Sequence, residues 1–168
     1  DMAGVTNFEV LDAGDNTART IAVDDETVAS GQTVTITNTG QTNTALTFDA
    51  STVSTAGGDL AITLTGTGNH VVTLGGGDDT ITASVAGQHM SITATAGANT
   101  ITLGADEETV KSGTGVDTID FGDDNVVDKY VTLIDDTNNT SNMDILTNFD
   151  PLKADGTTAE DIFSIDLS

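Results

Sequence analysis

The chain has 168 residues, with 27 Asp and Glu against 4 Lys and Arg, a formal charge of −23 and a sequence pI near 4.1. That charge repels phosphate backbones and anionic bilayers, so neither nucleic-acid nor lipid-surface binding is expected, and without an apolar run of roughly 18 residues no membrane insertion is expected either. Cysteine and Trp are absent and aromatics make up 4% of the residues, which excludes disulfides, thiolate metal sites, a Cys nucleophile and an aromatic-rich core.

Residues 1–65 read as irregular coils of a β-solenoid. Short alternating segments, Val34-Thr35-Ile36-Thr37, Leu46-Thr47-Phe48 and Ile62-Thr63-Leu64, are separated by Gly, Asn, Thr and Asp turns. Residues 66–122 carry a stricter beat. The units Gly75–Ile81, Ala96–Ile101, Gly104–Val110 and Gly113–Ile119 repeat a turn followed by an apolar residue. The apolar position advances through Val72, Ile81, Met90, Ile101, Val110 and Ile119, in steps of nine except for eleven between Met90 and Ile101. Two residues earlier stand His70, Asp79, Gln88, Asn99, Glu108 and Asp117. A period this short holds one strand and one tight turn, with no room for a helix. Residues 123–168 read as capping strands that close the solenoid: a strand over Val127–Ile134, a polar loop Asp135–Asn142, and two further short strands.

The unit has a physical logic. Glycines let the turn adopt positive φ, and a three-residue strand then points its central apolar residue inward and its Thr neighbours outward. Successive turns fall on alternate flanks, so turns two repeats apart stack. Stacked carboxylates and carbonyls repel one another unless a hard cation with oxygen ligands lies between them. The expected fold is therefore all-β, a parallel β-roll or β-solenoid with cation-binding turns and a C-terminal β cap, running as one solenoid through residues 1–65, 66–122 and 123–168.

The segments Gly75–Thr82 and Gly113–Asp120 resemble the RTX, or haemolysin-type calcium-binding, nonapeptide family, whose pattern is G-G-x-G-x-D-x-U-x. Met143–Asp150 and Glu160–Ser168 are similar to the segment that follows such repeats, and Val5–Asp12 and Leu46–Ser51 resemble coils of large RTX-type surface-layer proteins and adhesins. The resemblance implies calcium in the turns and export without a cleaved N-terminal signal. Carried onto this chain, it makes Asp79 and Asp117 calcium ligands, with Asp78 beside them and the carbonyls of Gly75, Gly77, Gly113 and Gly115 completing the shells. By alternation, Asn99 lies between Asp79 and Asp117 on the same flank, where its amide oxygen is a further candidate ligand. The opposite flank reads His70, Gln88 and Glu108, then Asp123-Asp124, and its C-terminal half (Asp106, Glu108, Asp123, Asp124) suits calcium. The bland alternative for each acid is a solvated turn residue accepting backbone N–H groups.

Other features carry less. His70 and His89 are the two histidines, and as a pair would suit a transition metal; two turns that have lost their ion explain them as well. The outward pairs Thr80/Thr82, Thr100/Thr102 and Thr118/Asp120 resemble the T-x-T arrays of ice-binding solenoids, although β-propensity alone accounts for Thr on a strand. Asp150-Pro151 offers a bond of the type that some RTX proteins cleave, or a simple loop entry. No nucleophile set or phosphate loop can be assembled, so no enzymatic activity is expected. The expected function is a structural, calcium-stabilised domain of a secreted bacterial cell-surface protein, in an S-layer lattice or an adhesin. Its partners would be calcium, copies of itself and other cell-surface components. The alternatives are the C-terminal secretion and folding module of an exported RTX enzyme, or an ice-binding adhesin segment.

Overall fold

The computed structural model describes residues 10–13, 17–38, 45–54, 58–124, 126–133, 143–150 and 161–166. These contain fourteen strands and no helix. In chain order they are β1 (Val10–Asp12), β2 (Arg19–Asp24), β3 (Thr33–Thr37), β4 (Leu46–Thr52), β5 (Asp59–Thr63), β6 (Gly68–Thr73) and β7 (Thr80–Ala83). There follow β8 (Gln88–Thr93), β9 (Thr100–Leu103), β10 (Thr109–Lys111), β11 (Thr118–Asp120), β12 (Lys129–Leu133), β13 (Ile145–Thr147) and β14 (Ile162–Asp166). Odd strands build one seven-stranded sheet and even strands the other, each in simple sequence order and parallel throughout. The chain thus winds as a parallel β-solenoid, laying one strand in each sheet per turn.

The core is the space between the sheets. On the odd sheet the inward residues stack as Ile36, Ile62, Ile81, Ile101, Ile119 and Leu146. On the even sheet they stack as Phe48, Val72, Ile92, Val110 and Tyr130, and the exposed Phe163 of β14 is in register with Tyr130 at the end of the stack. Successive isoleucines from Ile62 to Ile119 lie 19, 20 and 18 residues apart, so the nine-residue beat is half a turn. Short strands suffice because each is sandwiched between identical neighbours, and β-branched side chains fill the narrow interior at little rotamer cost.

The register corrects one reading. Met90 pairs with His70, while Ile92 pairs with Val72 and Val110, so the eleven-residue step falls between Ile81 and Ile92. The extra pair of residues is absorbed by the turn before β8, where Gly87 takes φ 86° and the Gln88 side chain accepts the Val85 N–H and donates to the carbonyls of Leu64 and Gly66. The strand expected over Val127–Ile134 runs from Lys129 to Leu133. The loop Asp135–Asn142, Pro151 and Glu160 lie outside the described residues.

Glycine is obligatory where turns stack backbone on backbone. At Gly97 (φ 93°) a Cβ would stand 1.7 Å from the Gly77 carbonyl oxygen, and at Gly115 (φ 134°) 1.9 Å from that of Gly97. At the C-terminal end a polar contact crosses the core: the buried Tyr130 hydroxyl meets Ser112 Oγ at 2.9 Å and donates to Asp144 Oδ2. Tyr130 also packs against Phe163 at 5.5 Å between ring centroids.

Candidate metal centre

Residues two places before each inward ladder position occupy the flanks of the solenoid. On the first flank these are Asp79, Asn99, Asp117 and Asp144, and they form a continuous ladder. Asp79 Oδ1 accepts the Leu60 N–H at 2.8 Å, Asn99 Oδ1 accepts that of Asp79 at 3.0 Å, Asp117 Oδ1 that of Asn99 at 2.9 Å, and Asp144 Oδ1 that of Asp117 at 2.8 Å. Each side chain thereby satisfies a buried main-chain donor that the turn leaves over. The Asn99 amide also donates to Asp117 Oδ1 at 2.9 Å, placing a neutral donor between two acids.

A second, outer ladder runs alongside. Asp59 Oδ1 accepts the Asp78 N–H and Asp78 Oδ1 the Ala98 N–H, both at 2.9 Å, with Asp78 itself exposed. The Gly75 carbonyl accepts the Thr95 hydroxyl at 2.5 Å, and that of Gly77 is pressed against Gly97. One oxygen on this flank lacks a donor: Asp79 Oδ2 is buried and has no hydrogen-bond partner among the described residues. Burial drives the Asp79 carboxyl up to about 7; the Leu60 N–H opposes this, and the charges of Asp59, Asp78 and Asp117 add to it.

The opposite flank begins in the same way and then departs. His70, fully buried, accepts the Leu46 N–H on Nδ1 at 3.1 Å, with Nε2 3.2 Å from the Gly66 carbonyl. Those partners place the proton on Nε2, and burial lowers the His70 pKa. His89 lies on the outward face of β8, opposite Asn69, whereas His70 faces inward. The two imidazoles therefore sit on opposite faces of one sheet and form no joint site.

Further along, Asp128 Oδ1 accepts the Glu108 N–H and Asp161 Oδ1 the Asp128 N–H, each at 2.9 Å. Glu108 does not extend this ladder. Glu108 is 1% exposed, and among the described residues neither of its carboxylate oxygens meets a donor other than the facing Asp128 carboxyl. Instead, Glu108, Asp124 and Asp128 each bring a carboxylate oxygen within 4.8 Å of the other two. Burial, with the facing Asp128 carboxyl, pushes Glu108 far above the carboxylate range, and burial raises Asp128 too. Three acids this close cannot all remain ionised in a desolvated pocket without a counter-charge.

The donor set fits a hard cation. Oxygens about 2.3–2.6 Å from a shared calcium ion lie at most about 5 Å from one another, which matches the observed separation. All-oxygen ligation also disfavours the softer transition metals. Of the residues expected here, Glu108 and Asp124 belong to the cluster. Asp106 stands apart, its Oδ2 accepting the Gly87 N–H at 2.6 Å, and Asp123 is exposed. Asp128 is the member that sequence reading omits. Its signal is positional: it precedes Tyr130 by two residues, as Glu108 precedes Val110, and those two inward residues are register partners.

No family model, curated protein or solved structure matches the chain. Fold and flank geometry define it as a parallel two-sheet β-solenoid with laddered acidic flanks.

Proposed function

We propose that this chain is a structural, calcium-stabilised domain of a secreted bacterial cell-surface protein, serving in an S-layer lattice or an adhesin and folding on calcium after export. The observation that carries this reading is Glu108, a buried acid that faces Asp124 and Asp128 and, among the described residues, meets no donor but another carboxyl group. A protein that must bury that charge gains stability from any cation that neutralises it. A ligand bound only by the folded state stabilises it by about 2.7 kcal/mol at a hundredfold excess over Kd.

Glu108, Asp124 and Asp128 would hold the ion, which supplies countercharge and no chemistry. At low calcium the uncompensated flank, on a chain of charge −23, favours the unfolded state and eases export. At high external calcium the turns close. Calcium, copies of the same chain and other surface components are the partners this reading calls for, and no enzymatic role is assigned.

The test is circular dichroism with thermal melting in chelator and across a calcium titration. The expected result is a cooperative gain of β signal, or a rise in melting temperature, that Glu108→Gln abolishes. Identical spectra and melts with and without calcium would remove the reading.

A further inference from the structure

The two ends of the solenoid are built alike. Fourteen strands alternate between two sheets, so the chain makes whole turns and each end presents one odd and one even strand. β1 and β2 form the N-terminal end, β13 and β14 the C-terminal end, and no described strand pairs with their outer edges. An edge strand offers main-chain N–H and C=O groups to a further strand. The apolar ladders also run out to these edges. Leu11 and Ile21 are half-buried at one end and Leu146 at the other, while Phe163 is 54% exposed where Val110, two turns earlier, is fully buried. Other exposed apolar side chains gather here: Val10 on β1, Ile145 on β13, and Ile162 and Ile165 on β14.

The N-terminal end of one copy, set on the C-terminal end of another, continues each ladder in phase. β1 then follows β13 and β2 follows β14, parallel and with the same winding. This register sets Leu146 on Leu11, Phe163 on Ile21, and the outward Ile145 on Val10. The even flank continues too, because Asp161 stands two residues before Phe163 and Arg19 two before Ile21. An acid of one copy thus meets a base of the next, on a chain with only 4 Lys and Arg. One pair in this register sets acid on acid, Asp166 on Asp24, and Lys111 stands 2.7 Å from Asp166 to offset it. Joining like ends would run the strands antiparallel and lose this phase. The end that fits β13 and β14 is therefore the opposite end of the same chain.

We infer that the solenoid binds a second copy of itself head to tail, β13 and β14 of one copy receiving β1 and β2 of the next. The inference rests on the lattice reading for its partner and names the contact which that reading leaves open. Each junction adds a parallel strand to both sheets at once and closes the apolar ladders away from water. The contact is heterologous, and each copy advances along the solenoid axis, so it grows a filament rather than a closed ring. Charge opposes it. Copies of charge −23 repel one another, so assembly strengthens with salt or with calcium.

Sedimentation velocity and electron microscopy of the full chain in calcium, over a concentration series, read the assembly. Circular dichroism confirms the fold of every variant. Val10→Lys/Arg19→Glu blocks the N-terminal end and Phe163→Lys/Ile165→Lys the C-terminal end, all at exposed positions. Val71→Lys, on the outer face of β6, is the control. The inference expects filaments from the parent and from Val71→Lys, and monomers from each end variant alone. Mixed in equal amounts, the two end variants should stop at a dimer, since one intact head meets one intact tail. A folded parent that stays monomeric throughout would overturn it, as would assembly of either end variant alone or a mixture without dimer. The calcium reading is scored separately from the spectra. A parent that folds on calcium but never assembles sinks the stacking alone, and one that assembles with spectra indifferent to calcium sinks the calcium reading alone.

Discussion

The flank of Asp79, Asn99, Asp117 and Asp144 and the flank of His70, Glu108, Asp128 and Asp161 perform the same task with different remainders. On both, a side-chain acceptor takes a main-chain N–H from the turn before it. On the first, Asn99 interrupts the acids with an amide, and most of the acceptor capacity is used inside the ladder. On the second, Glu108 has one methylene more than Asp, accepts no main-chain N–H, and leaves both oxygens with Asp124 and Asp128. A ladder needs one oxygen per turn. What the remaining oxygens meet decides whether a turn stands alone or needs a cation.

The largest expected effect tests what both flanks share, the stacked turns. Gly97→Ala places a Cβ against the Gly77 carbonyl in a left-handed backbone, and should cost more than about 3 kcal/mol or prevent folding, as read by chemical denaturation. Next comes Glu108→Gln. Removing an acid that must take up a proton to be buried should make the chelated protein more stable than the parent by about 1–3 kcal/mol, while erasing the gain from calcium.

The ladder is probed by paired substitutions at Asp117. Asp117→Asn keeps the acceptor and should melt within a few degrees of the parent, whereas Asp117→Ala orphans the Asn99 N–H and should cost about 1–3 kcal/mol. Titration supplies a subtler measure. Asp79, Glu108 and Asp128 have folded-state pKa values above their unfolded ones, so their contribution is greatest at low pH and is lost as pH rises, for Asp79 through about 7. His70 has the opposite sign: its pKa is depressed, so its contribution is present above 6.5 and lost as pH falls below that value. In chelator, melting temperature should therefore rise from pH 8 toward mildly acidic pH, and saturating calcium should flatten that slope. The smallest effect is Lys111→Ala, which removes a partly exposed ion pair to Asp166 at 2.7 Å and should change stability by about 0–1 kcal/mol.

Much of the fold was legible because an inward branched residue every half turn leaves a plain period. Val72, Ile81, Ile101, Val110 and Ile119 all fall on the core ladders that the beat assigns them. Met90 misled because β8 is long enough to bury both Met90 and Ile92, and periodicity cannot rank two inward residues of one strand. Asp128 was lost where the interval from Ile119 to Tyr130 stretches to eleven residues, so counting in nines stops short of it. The ladder hydrogen bonds were not legible either, since composition does not say whether a turn acid accepts an N–H or meets other acids.

Calorimetric calcium titration of the parent, Asp117→Asn and Asp128→Asn most directly tests the division between the flanks. The account predicts that the parent and Asp117→Asn bind calcium alike, while Asp128→Asn, with its main-chain acceptor kept and its charge removed, binds far more weakly. Loss of binding in Asp117→Asn with full binding in Asp128→Asn would contradict it and move the cation to the other flank.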